Sequence, residues 1–139
     1  MIFENSNEIF IYSYVEELIS SFTQYCTTNF KNSNLTIKEL SVLLKIRFED
    51  SLTQNDLVNM FKVSPAYIAK LMRKFEDNGY IKRNESPKNR RKKIVRLTDE
   101  GFKKTDEYLE VIKNWENTIT SDISDDEIKT LKGILFKIS

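Results

Sequence analysis

TQNDLVNMFKVSPAYIAKLMRKFEDNGYIKRNESPKNRRKKIVRLTDEG, residues 53–101, divides into two short helices in tandem, a charged hairpin and the start of a long helix. Thr53 is placed to cap the first helix, with Asp56 three residues on in its positively polarised first turn. That helix is short and ends near Phe61. After a tight Lys62-Val63 connection, Ser64 can cap a second helix and Pro65 takes its first position, where a missing N–H is no loss and the fixed φ suits a helix. Gly79, the residue type that most readily turns left-handed after a helix, stops it. Helix, short turn, helix is the helix-turn-helix arrangement, whose second helix can enter the major groove of DNA.

In that second helix Ile68, Leu71, Met72 and Phe75 fall at i, i+3, i+4 and i+7 and make one apolar face. The other face carries Ala66, Tyr67, Ala69, Lys70, Arg73 and Lys74: small near its start, basic further along. On its own such a face reads equally well as ordinary solvated surface. The continuation tips the balance. Residues 80–83 and 93–97 are short β-prone runs, and between them lies the Pro-bearing, cationic turn 84–92. Two strands around a basic loop make a wing. Residues 62–96 hold 12 Lys or Arg against 3 acids, a local +9, while the remainder of the chain carries −8. The net charge of +1 therefore conceals a strong segregation, and the basic part has the electrostatic footprint of phosphate binding.

With these residues in place the chain resembles the MarR-type winged-helix transcriptional regulators. The likeness lies in LTQNDLVNMFKVSPAYIAKLMRKFEDNGYIKR and SPKNRRKKIVRLTDEG, where residue types, spacing and order agree across about 50 residues. It implies groove-facing roles for Ser64, Ala66, Tyr67, Ala69 and Lys70, and wing-tip roles for Arg90 and Arg91. Thr53, Gln54, Arg73, Lys74, Lys88 and Lys92 complete the candidate DNA-contacting set. The chain departs from the family at Asn89, where an Asp is usual. That loses the carboxylate that braces a wing arginine, although an Asn carbonyl can still accept a hydrogen bond.

The flanks are expected to be helical. With only 3 Gly and 2 Pro in 139 residues, little interrupts the chain, which fits one domain. A first long helix is expected from Asn5 to about Phe30, opened by Asn5 and Glu8 at cap and N3 spacing. Its apolar residues spread well past one face, so it needs partners on more than one side. Thr36 and Glu39 have capping-box spacing for a helix to about Phe48, with Ile37, Leu40, Leu43, Leu44 and Phe48 inward; Ser51-Leu52 suits a short strand. Thr98 is placed to cap a helix to about Ile119, with Phe102, Leu109, Ile112, Trp115 and Ile119 as its stripe. Ser124 and Glu127 open a last short helix, marginal unless packed.

The expected fold is mainly α with a small β-wing: a single domain over 1–139, with a winged helix-turn-helix core at 36–97 and N- and C-terminal dimerisation helices at 1–34 and 98–139. The last assignment is also what the resemblance implies, and symmetric half-site binding favours a homodimer.

His is absent and Cys26 stands alone, which removes the usual zinc ligand clusters and His-dependent catalysis; no Gly-rich phosphate loop occurs. No enzyme activity, metal or cofactor is expected. Cys26, with no Lys or Arg before Lys31, reads as a core thiol rather than a redox sensor. No run of about 18 apolar residues and no signal-peptide pattern occurs, so the expectation is a cytoplasmic protein with no membrane partner.

The expected function is a homodimeric regulator of transcription, a repressor binding double-stranded DNA at a roughly palindromic operator. The resemblance adds release by a small aromatic or amphipathic effector, with Phe22, Tyr25 and Phe48 as candidates to line its cleft or else to pack as core. A regulator without a small-molecule ligand and a winged-helix module used for protein interaction are the alternatives.

Overall fold

Each helix-turn-helix boundary is set by hydrogen bonds a few residues long. In the computed structural model, which describes residues 5–30 and 33–139, the Thr36 hydroxyl accepts from the Glu39 N–H while the Glu39 carboxylate accepts from the Thr36 N–H. This capping box opens α2 (Ile37–Phe48). Thr53 and Asp56 exchange the same pair of bonds at the start of α3 (Gln54–Phe61). Lys62, left-handed at φ 52, ends α3, and the Ser64 hydroxyl accepts from the Tyr67 N–H to open α4 (Pro65–Asp77). Past α4, Gly79 at φ +77 lets its own N–H reach the Glu76 carbonyl and the Tyr80 N–H reach the Phe75 carbonyl. Those two bonds close a Schellman motif and send the chain into the sheet.

Strands β1 (Leu52–Thr53), β2 (Ile81–Glu85) and β3 (Lys93–Leu97) form an antiparallel sheet in the order β1-β3-β2, with Ile81 opposite Leu97 and Leu52 opposite Val95. Alternation along β2 and β3 buries Ile81 and Val95 against the helices and turns Lys82 and Arg96 outward. The long helix α5 (Asp99–Ile119) follows; the Thr98 hydroxyl accepts from the Gly101 N–H and donates to the Gly79 carbonyl.

The described residues fall into two compact units. One comprises 33–109, so it includes the first half of α5. Its core is Leu40, Leu43, Leu57, Ile68, Met72 and Phe75, each almost fully enclosed. All four apolar residues expected on the inner face of α4 are buried there. Burying the Phe75 ring and the aliphatic chains around it stabilises the unit by roughly 1.5–3 kcal/mol per side chain.

The other unit comprises 5–30 and 110–139 and contains α1 (Ile11–Asn29), the second half of α5 and α6 (Asp125–Ile138). Phe22 packs edge-on to Trp115 at 5.1 Å between centroids, and the Trp115 indole N–H donates to Ser21 Oγ. Ser124 and Glu127 form the expected capping box. Cys26 is buried, and burial pushes its thiol up from the ordinary value, the reverse of what a reactive cysteine needs. Among the described residues no helix is long and apolar enough to cross a membrane.

Three details differ from expectation. Asn5 does not open α1. Its side chain accepts from the Asn7 N–H two residues on, a local turn that outcompetes the cap, and one 3-10 turn at Ser6–Glu8 precedes a helix starting at Ile11. Phe48 is 64% exposed, while Val42 and Ile46 are buried beside Leu40 and Leu43, so the enclosed face of α2 is turned away from the expected stripe. In α5 the enclosed stripe is Gly101, Thr105, Tyr108 and Val111, with Phe102 at the surface. Thr105 donates to the Gly101 carbonyl and accepts from Arg47, which satisfies a buried hydroxyl that no apolar pattern reveals.

Candidate nucleic-acid interface

The cap at Ser64 fixes where α4 begins and therefore which residues its outer face shows. Ser64, Ala66, Lys70 and Arg73 are exposed; Tyr67 and Ala69 are half-buried beside them. The Tyr67 ring lies under the Lys38 ammonium, 4.9 Å from its centroid, so a lysine of α2 adds positive charge to this face. Sequence reading did not single out Lys38; the contact crosses 29 residues and has no local signal.

Lys74 is placed differently from the rest of the set. Its ammonium is bound by both oxygens of Glu39, at 3.0 and 2.9 Å, and points at α2. Burial pushes the Glu39 carboxyl up, but the Thr36 N–H and the Lys74 ammonium outweigh it and hold the carboxyl below the ordinary range. A carboxyl held down in the folded state contributes stability above its unfolded pKa, and that contribution disappears as pH falls through the folded value. Glu39→Gln, which keeps the cap, is therefore expected to lower stability at pH 7 by up to about 1 kcal/mol. It is also expected to flatten the fall in stability below about pH 4.5. Urea unfolding across pH 7 to 3 measures both.

The wing positions the second group. Ser86 N–H donates to the Lys92 carbonyl and Lys92 N–H to the Asn89 carbonyl, so the loop closes on itself and leaves Lys88, Arg90, Arg91 and Lys92 exposed. Asn89 Oδ1 accepts from the Arg91 backbone N–H at 3.0 Å, so Asn89 braces the tip through the main chain. At the root of the wing a cleft of about 290 Å³ brings Thr53 and Gln54 together with Arg91 and Lys92, and adds Asn55 and Lys93. Ser64, Ala66, Tyr67, Ala69, Lys70 and Arg73 stay together on α4.

Arg83 ties these elements. It donates to Gln54 Oε1 at 2.5 Å and to Glu76 Oε1, and the second bond holds the Glu76 carboxyl below its usual range. Strand periodicity carried a usable signal for it, since residue 83 shares the inward face with Ile81.

An exposed cationic helix, a cationic wing and a cleft between α3 and the wing are parts suited to gripping a duplex. Residues 35–93 match the MarR family model. Over those residues the chain is similar to the MarR family. A curated relative, the HTH-type transcriptional regulator BilQ of Clostridioides difficile (strain CD3), is 28% identical over 114 residues, 82% of this chain and 77% of BilQ. A crystal structure of MarR superposes with a TM-score of 0.81 at 26% identity, over 98% of this chain and 92% of that one. The S. aureus MepR-DNA complex superposes with a TM-score of 0.69 at 26% identity, over 94% of this chain and 97% of MepR. BilQ is a transcriptional regulator of the HTH type.

Proposed function

We propose that this chain is a DNA-binding transcriptional regulator that acts as a homodimer on a roughly palindromic operator, as a cytoplasmic repressor. The observation that carries the DNA reading is the gathering of Tyr67, Lys70 and Arg73 on the exposed face of α4, with Arg90 and Arg91 at the tip of the adjoining wing. α4 enters the major groove, where Tyr67 and Lys70 reach base edges or flanking phosphates; the wing lies along the neighbouring minor groove.

Exposed apolar surface supports the dimer. Phe10, Ile11, Tyr12 and Ile19 are each more than 60% exposed, and so are Phe136 and Ile138. Apolar side chains left outside in this number mark an interface, and a second copy is the partner that half-site recognition requires. Release by a small aromatic or amphipathic effector completes the reading. A cleft of about 410 Å³ within the winged-helix unit, lined by Phe48 and Phe102 together with Arg47, Glu49, Asp50 and Arg96, has the size for such a molecule.

Passing fragmented genomic DNA over the purified protein and sequencing what is retained tests this. Enrichment of one imperfect palindrome is expected; no enrichment above input overturns it. On the retained sequence, Arg91→Ala is expected to weaken binding and to alter discrimination among AT-rich flanks, because a guanidinium suits a narrow, negative minor groove. Lys88→Ala, acting through phosphate alone, is expected to weaken specific and random duplexes alike and to reduce the salt slope by about one. Identical behaviour of the two variants makes the wing a simple electrostatic clamp.

A further inference from the structure

Arg83 stands third in β2, where strand alternation turns it to the same face as the buried Ile81. From there one guanidinium reaches Gln54 Oε1, at the first position of α3, and Glu76 Oε1, in the last turn of α4. A wing residue thus holds the start of one helix and the end of the next. Its own side chain is only 19% exposed and engaged on both terminal nitrogens.

The chemistry fixes Gln54 in turn. A guanidinium only donates, so Gln54 must offer its carbonyl oxygen, and the planar amide then sends its two N–H donors the opposite way. Gln54 also lines the cleft at the wing root with Arg91, Lys92 and Lys93. In such a cationic cleft, a side-chain N–H held in one direction is a ready partner for a phosphate oxygen.

We propose that Arg83 is a positioning residue for DNA binding: acting through Gln54, it fixes that amide as an uncharged donor to a backbone phosphate held between α3 and the wing. This rests on the DNA-binding reading above and assigns a role to a residue which that reading leaves out. Arg83 adds no phosphate contact of its own. Its positive charge is spent on Glu76, and its influence on DNA passes through the direction of one amide.

The test is binding of a labelled random-sequence duplex by the full-length protein across a salt series, with Gln54→Ala, Arg83→Lys, Arg83→Gln and the Gln54→Ala/Arg83→Lys double variant. Circular dichroism confirms helix content. A lysine keeps the charge for Glu76 but lacks the planar fork that also serves Gln54. Arg83→Lys and Gln54→Ala are each expected to weaken binding about two- to tenfold, the loss of one ordinary hydrogen bond. The double variant is expected to be no weaker than either single one. The salt slope is expected to stay that of the wild type in Arg83→Gln, because no phosphate loses its counter-charge. Losses that multiply in the double variant, wild-type binding by Arg83→Lys, or a slope reduced by about one in Arg83→Gln would each overturn the proposal while leaving DNA binding intact. A wild-type protein that binds no duplex at any salt overturns the DNA-binding reading and this role with it.

Discussion

A chain ending at Ser124 is expected to sediment as a monomer or to aggregate, and to lose operator affinity by about 10²- to 10⁴-fold, the avidity that joining two half-site contacts supplies. The segment removed is α6, whose Leu131, Ile134, Leu135, Phe136 and Ile138 are all at least 46% exposed. A helix of 14 residues is marginal in water unless its apolar face is covered. Leu131→Lys with Leu135→Lys asks the same question without deletion. At surface positions of a monomer these changes alter stability by about 0.5 kcal/mol or less, whereas at a buried interface they separate the subunits. Sedimentation equilibrium at micromolar concentration reads the outcome. A clean wild-type monomer that still binds operator tightly would remove the dimer.

Gly101→Ala is expected to destabilise the winged-helix unit by about 3 kcal/mol. A Cβ there would lie 2.1 Å from the Tyr80 carbonyl oxygen and 3.1 Å from its carbon. Neither can swing away, because the same carbonyl accepts from the Thr98 N–H and Tyr80 itself closes the turn after α4. Gly79→Ala meets nothing within 4 Å but forces a Cβ onto φ +77, and about 1–2 kcal/mol is expected. Chemical denaturation of the two variants, read by tryptophan-independent circular dichroism, should rank Gly101 as the more damaging position. Equal losses would mean that α5 can shift away from the turn at no cost.

What the residues disclosed in advance was whatever depends on neighbours a few positions away. The boxes at Thr36 and Glu39 and at Ser124 and Glu127, and the cap at Thr53, were readable because the hydrogen bonds span three residues; that Asp56 returns a bond to Thr53 is added by the structure. The buried face of α4 was readable because its period is regular, and the wing because a Pro-bearing cationic turn separates two β-prone runs. The pairing of Lys74 with Glu39, 35 residues apart, belongs to tertiary structure, and the polar face of α4 gave no warning that one of its lysines is turned to α2. Likewise Gln54 entered as a candidate contact, but its dependence on Arg83 exists only once β2 is laid beside α3. Phe48 and Phe102 show the limit of hydrophobicity as a guide: both fit an inward stripe, and both are outside.

Hydroxyl-radical footprinting on a genomic fragment retained by the protein tests the central claim most directly. Two helices seated in successive major grooves, with wings in the flanking minor grooves, should protect two symmetric half-sites whose centres lie about 10 bp or a multiple of it apart. Protection of a single half-site, or uniform protection without a repeat of the helical period, would contradict a winged-helix dimer bound through α4.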